Sequence, residues 1–179
     1  MPGTLLPCEF GGGRLRRLRP SDLYVFQAYR SLPELGRYQG WSPMSDAQAL
    51  EFIDEMAQVP LFAPGEWVQL AIAESATDEL VGDVGLYLAA DGQLGEVGFT
   101  LQPSAQGRGL ATRAVHEAVR LLFAATNTAC VQGVTDARNV RSIRLLERLA
   151  FTYLRTRWVD FRGQPCAEMV YALARSAHR

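Results

Sequence analysis

Apolar residues recur at helical spacing in three stretches of this chain, and between them they gather into short runs rich in Val, Ile, Leu and aromatics, a strand signal. Ala49, Phe52, Ile53 and Met56 share one helical face, and Ser45-Asp46-Ala47-Gln48 ahead of them is a Ser-x-x-Gln capping box, so a helix is predicted over residues 46–57. Residues 67–73, 80–88 and 94–101 then read as three strands. The turn formers Thr77-Asp78 and Asp91-Gly92 separate them, which makes an antiparallel meander. Ala111, Ala114, Val115, Ala118, Val119, Leu122 and Phe123 predict a long helix ending near residue 125. A strand over 130–135, a helix over 140–149 and two closing strands over 151–159 and 168–174 follow, the last two joined at Arg162-Gly163. At the front, RLRRLR over residues 14–19 reads as a first strand stopped by Pro20, with a helix capped by Ser21. Its arginines fit a solvated edge strand guarded against self-pairing.

Only one unit of this kind is visible across residues 1–179, with no internal repeat, linker or low-complexity tract. At 179 residues, 48% of them hydrophobic, the chain can bury about 70% of its unfolded surface, so neither disulfides nor a structural metal are required. Eighteen Lys+Arg against nineteen Asp+Glu give a net charge of −1, which excludes a broad basic face and argues against a nucleic-acid partner. Cys8, Cys130 and Cys166 are scattered, with no Cys-x-x-Cys pair, and fit a reducing, cytoplasmic setting. No signal-peptide pattern or membrane span is expected. His116 and His178 are distant in sequence and suggest no metal site.

The informative segment runs from Glu96 to Thr112. It goes from strand through Gln106-Gly107-Arg108-Gly109 into a helix start, and helix-start amides aided by the dipole make a seat for a phosphate or pyrophosphate. Glycines at 107 and 109 let the backbone come close to such an anion. No Lys follows the loop, so it is not a Walker loop. A Rossmann loop is also excluded, because Thr112 takes the third glycine's place and a meander precedes it.

Gln106-x-x-Gly109-x-Ala111 resembles the Gln/Arg-x-x-Gly-x-Gly/Ala signature of the GNAT acyltransferase superfamily. Thr135-Asp136-Ala-Arg-Asn139-Val-Arg-Ser142 through Phe151 resembles a second block, that of the RimJ/RimL-like branch, the ribosomal-protein N-terminal acetyltransferases. Leu18-Arg-Pro-Ser-Asp22 and Leu80-Val-Gly82-Asp83-Val-Gly85 are similar to that branch too. Two departures stand out: Ala150 occupies a usual glycine position before Phe151, and Leu146 stands where many GNAT enzymes carry a Tyr able to protonate the departing thiolate.

The resemblance implies an α+β GNAT fold: a mixed, mostly antiparallel sheet of six or seven strands, flanked by about four helices and splayed between strands 4 and 5. It implies acetyl-CoA as co-substrate and an amine as acceptor, with no metal. Backbone groups of Phe99, Thr100 and Leu101 would hold the pantetheine arm. Gln106, Gly107, Arg108, Gly109, Leu110, Ala111 and Thr112 would hold the pyrophosphate, with Arg108 adding charge. Asn139 would fix the arm, serve as a helix cap, or do both at once, and Ser142 would face the sulfur, its alternative being a bond within its own helix.

Acyl transfer needs a neutral amine, whereas an α-amine has a pKa of about 7.7 to 8.0 and a lysine about 10.4. A carboxylate must take the proton, directly or through water. Glu96 is the first candidate and Asp83 the second, although a turn or bulge could equally employ Asp83. Phe99 or Thr100 would donate an N–H to the oxyanion. Tyr38, Trp41, Trp67, Trp158 and Phe161 could line the acceptor's entrance. The leading expectation is acetylation of a peptide or protein N-terminal amine by direct attack in a ternary complex. A small-molecule amine, a larger acyl group and a non-catalytic acyl-CoA sensor are the alternatives, and the sequence chooses no oligomeric state, a homodimer included.

Overall fold

The computed structural model describes residues 5–178. Eight strands form one sheet: β1 (Cys8–Phe10), β2 (Gly13–Arg17), β3 (Trp67–Glu74), β4 (Leu80–Leu88), β5 (Leu94–Leu101), β6 (Cys130–Asp136), β7 (Thr152–Phe161) and β8 (Gln164–Ala174). Their order is β1-β2-β3-β4-β5-β6-β8-β7. Five α-helices accompany them: α1 (Leu23–Arg30), α2 (Pro33–Gly36), α3 (Asp46–Gln58), α4 (Leu110–Ala125) and α5 (Val140–Arg148). The meander and the α4–β6 order follow the hydrophobic pattern closely, and Ser45 forms the expected capping box with Gln48.

β5 and β6 are the parallel pair, because α4 carries the chain back across one face before β6 begins. On that face α4 and α5 bury Leu70, Leu86, Val97, Leu110, Leu122, Leu145 and Leu146 against the sheet. The opposite face is covered by α1 and α3, through Phe26, Tyr29, Ala49, Ile53 and Met56.

At the front of the chain the structure corrects three expectations. β1 is a strand the hydrophobic pattern does not announce, so the sheet has eight strands rather than six or seven, and the expected splay, between the same two strands, is numbered between the fifth and sixth. With β1 and β3 on its two sides, β2 is an interior strand and not an edge. Arg16 is buried, its guanidinium paired with both oxygens of Asp22 at 2.8 and 2.9 Å, and Arg14, Arg16 and Arg19 all reach Asp78 in the β3–β4 turn. Nor does Ser21 cap a helix; a short 3-10 turn over Pro20–Asp22 leads into α1, and Asp22 accepts the Arg19 amide at 2.9 Å. A run of arginines looks solvated until its acids, distant in sequence, are brought beside it.

What positions the site is the divergence of β5 from β6. Their pairing ends at Val97 opposite Gly133, although β6 continues on β8 as far as Asp136 opposite Glu168, and β5 continues on β4 as far as Leu101 opposite Gly82. Residues 98–101 of β5 therefore face a gap. Leu146 of α5 packs on Gly133 at the fork, so close that a Cβ there would lie 2.5 Å from it.

Candidate active site

The gap opens into a cleft of about 1060 Å³ that passes through the sheet. Its walls are Phe99, Thr100 and Leu101 on one side and residues 138–148 on the other. Gln106, Gly107, Gly109, Leu110, Ala111 and Thr112 close it on the α4 face, and Tyr38 and Gln39 close it on the α1 face. Asn139 and Ser142 lie in the wall, so with Tyr38 twelve of the residues singled out from the sequence meet at one place.

Register determines which backbone groups face the cleft. The amides of Ala89 and Gln102 bond to Leu94 and Val81, and these rows bracket the β4–β5 ladder, so the even-numbered residues of β5 exchange bonds with β4. Phe99 and Leu101 consequently turn their N–H and C=O into the gap. Side chains meet both carbonyls: Gln39 Nε2 donates to Phe99 O at 3.2 Å and Gln106 Nε2 to Leu101 O at 2.9 Å. The Thr100 amide faces β4, so Thr100 is not an oxyanion donor; Phe99 is the N–H that points the right way.

At the α4 start, Gly107 and Gly109 adopt φ of 79° and 72°. The Gln106 amide bonds to Pro103 O, and the first intrahelical bond is Arg113 N to Gly109 O, which leaves the amides of residues 107–112 without helical acceptors. Arg113 braces this loop: its Nε donates to Gly11 O at 2.6 Å and its Nη2 to Arg108 O at 3.1 Å. Nothing in the linear sequence ties Arg113 to the β1–β2 turn.

α5 has nine residues, too few for stability alone. Leu145 and Leu146 anchor it in the core, and Asn139 caps it by accepting the Ser142 amide at 3.2 Å, a cap contributing about 1 kcal/mol. Asn139 is thus a cap, with its amide nitrogen left over. The Ser142 hydroxyl makes no bond to its own helix. Leu146, in place of the tyrosine, is buried and offers no proton.

Three candidate residues stand apart from the cleft wall. Arg108 turns to Glu74 of β3 at 2.8 Å. Asp83 is fully buried in β4, where Tyr29 and Gln69 donate to it and Arg30 pairs with it at 2.9 Å; neither a turn nor a bulge employs it, and its lone pairs are committed. Glu96 sits on the α1 face of β5, before the fork. Burial pushes its carboxyl up, Arg157 pulls against that and Glu168 adds to it. Beside it Gly98 leaves open space where a side chain would be.

Of the aromatics, Tyr38 lines the cleft and Phe161 a smaller hollow beside it, while Trp41 stacks on buried Arg30. Trp67 packs on Tyr87 and Trp158 lies exposed, both away from the cleft. Arg141, Arg144 and Arg148, which the motifs do not single out, line the cleft from α5. Their spacing of three and four along a predicted helix is the signal the sequence offers for them. His116 and His178, remote in sequence, stack at 4.7 Å, yet no group able to hold a metal occurs among the described residues.

A family model described as an acetyltransferase (GNAT) domain matches residues 14–152. This chain belongs to the GNAT acetyltransferases. The uncharacterized N-acetyltransferase p20 of Bacillus licheniformis is 28% identical to it over 139 residues, 76% of this chain and 77% of the relative. RimL, a ribosomal L7/L12 alpha-N-protein acetyltransferase solved with coenzyme A, superposes with a TM-score of 0.80 at 14% identity, over 96% of this chain and 98% of its own. The spermidine N-acetyltransferase of Vibrio cholerae, solved with CoA and spermine, gives 0.78 at 18% identity, over 92% and 96%. At such identities the superpositions show the shared fold. The GNAT chain is an acyl-CoA-dependent N-acyltransferase, with acetyl-CoA as co-substrate. Its open β5 groups and unspent α4 amides suit the amides and diphosphate of that carrier. No helix among the described residues is long and apolar enough to cross a membrane.

Proposed function

We propose that this enzyme acetylates the α-amine of a peptide or protein N-terminus by direct attack in a ternary complex. The observation that carries the reading is the cleft's passage through the sheet, which lets carrier and acceptor approach Phe99 from opposite faces. Phe99 and Leu101 would pair with the pantetheine amides as an added strand does, Gln39 giving up the Phe99 carbonyl. The amides of residues 107–112 would hold the diphosphate, with Arg144 and Arg148 adding positive charge. Acetyl-CoA supplies a thioester, whose carbonyl carbon is the electrophile.

Glu96 would take the amine's proton through water, across the space Gly98 leaves open. Its raised pKa brings it nearer that of an α-amine than an ordinary carboxylate lies, which eases the transfer and favours an α-amine over a lysine. The Phe99 N–H would stabilise the oxyanion, and the Ser142 hydroxyl the departing thiolate. Direct attack agrees with the cysteines. Burial raises the pKa of Cys8 and Cys130, and a hydrogen bond to Asp136 raises that of Cys166, the reverse of an activated nucleophile. The arginines of the cleft count against a polyamine acceptor.

Release of free thiol from acetyl-CoA tests this, with peptides bearing free or blocked α-amines set against spermidine. Turnover should require the free α-amine. Glu96→Gln should lower kcat by about a hundredfold and move the acidic limb of the pH profile up to that of the amine itself, about 7.7 to 8.0. In the parent enzyme that limb follows Glu96, whose pKa burial raises, since a base works only once deprotonated. Acetylation confined to lysines or spermidine would overturn the acceptor assignment, and an unaltered acidic limb in the variant would overturn the role of Glu96.

A further inference from the structure

We propose that the amine acceptor carries an anionic group, a carboxylate or a phosphate, which seats among Arg37, Arg138 and Arg162 beside the cleft. This rests on reading the cleft as the site of acyl transfer and names the class of acceptor it takes. Where the loop after α2 meets the tip of the β7–β8 hairpin, a hollow of about 200 Å³ is lined by these three arginines with Phe161, Gln164 and Cys166. Arg37 and Arg138 line the main cleft as well, so the two spaces adjoin. Liquid water occupies about 30 Å³ per molecule, so the hollow has room for an anion and several waters.

Each arginine is held in place by groups of the protein itself. Arg162 and Gly163 have φ of 55° and 74°, the pair of positive angles that a two-residue type I′ turn requires. From that turn one nitrogen of Arg162, Nη2, donates to Trp41 O at 2.7 Å and Gln39 O at 3.2 Å, leaving the other donors of its fork. Arg138 is clamped by Asp136, which accepts its Nε at 2.9 Å, its Nη2 at 2.7 Å and its backbone N–H at 2.8 Å. Arg37 stacks on Tyr38, its guanidinium carbon 5.3 Å from the ring centre.

Three acids nearby have partners of their own. Asp136 holds Arg138 and the Cys166 thiol, Glu168 pairs with Arg157, and Asp160 accepts the Gly163 amide. No carboxylate belongs to the lining, and among the described residues none forms an ion pair with Arg37 or Arg162. Counting Asp136 against Arg138, two positive charges are left over in the lining; Asp160 of the hairpin turn and Glu34 of the adjoining cleft lie outside it. A plain ammonium acceptor would be repelled there, whereas one with an anion set back from its amine would be held and aimed at Phe99. Because the guanidiniums are exposed, the preference should weaken with salt.

The test compares kcat/KM for Ser-Asp-Glu, Ser-Gln-Gln and Ser-Lys-Lys peptides, all amidated, and for O-phosphoethanolamine against ethanolamine. The acidic peptide or the phosphorylated amine should be preferred over its neutral partner by about tenfold, chiefly through KM, and the ratio should shrink as ionic strength rises. Which pair shows the larger ratio identifies the anion as carboxylate or phosphate. Arg37→Glu should abolish the preference and favour Ser-Lys-Lys, and Arg162→Gln, which adds no repulsion, should reduce it. Equal or lower turnover of the anionic acceptors, or an unchanged ratio in Arg37→Glu, would overturn the pocket while leaving acyl transfer intact. No thiol release with any acceptor would overturn the transfer reading and the pocket with it.

Discussion

Ala150 has a φ of 62°, a left-handed conformation that costs a side-chain-bearing residue about 1 kcal/mol. The reason lies in how α5 stops: the Phe151 amide bonds to Leu146 O and the Ala150 amide to Glu147 O, a Schellman motif whose left-handed residue is usually glycine. A glycine there would carry no such strain. Ala150→Gly should therefore raise the unfolding free energy by about 0.5 to 1 kcal/mol, seen as a higher urea midpoint at unchanged slope, with catalysis unaffected. At this scale the sequence is legible wherever a residue's role is local. Ser45 and Asn139 cap helices because their partners lie three residues away. Arg108 and Asp83 are not legible in this way, because Glu74 and Arg30, far off in sequence, claim them.

β5 is the element on which the site depends. One edge of it is satisfied by β4 throughout, and the other loses β6 after Val97, which leaves half a strand open to pair with the carrier's amides as proposed. Its two faces divide the work, with Val97 and Leu101 in the core under α4 and Glu96, Gly98 and Thr100 toward α1. A methyl group in place of the Gly98 hydrogen would have no neighbour within 4 Å, so a side chain can start there in open space. Gly98→Val should fold at least as stably as the parent, Val being the better strand former, yet lose about tenfold or more in kcat/KM by filling the passage beside Glu96. Wild-type turnover from a folded Gly98→Val would show that the passage is not used. The alternation of β5 can be read from the sequence, but the end of its pairing cannot, since that depends on where β6 lies after α4 has crossed.

For the whole molecule, a net charge of −1 hides an uneven distribution. Arg37, Arg138, Arg141, Arg144 and Arg148 all border the cleft, with Glu34 as the acid among its lining residues. Arg141 is engaged with Gln106 at 2.7 Å, so Arg144 and Arg148 carry the test of whether this charge recruits the carrier. The double variant Arg144→Gln/Arg148→Gln should raise KM for acetyl-CoA by about three- to tenfold at low salt, the modest effect of exposed charges, and flatten its dependence on ionic strength. An unchanged salt dependence would assign the attraction to the α4 amides alone.

Taken by itself, the sequence determined the order of the strands and longer helices from β2 onward, the glycine loop that opens α4, and the family, because period, caps and glycine spacing are local properties of the chain. Only the tertiary structure decided that β2 is interior, that Asp83 is spent on Arg30, that Arg108 points away, and that scattered arginines converge on one entrance. These depend on which distant segments the sheet order makes neighbours, and burial then settles whether a charge is used in folding or left for a ligand.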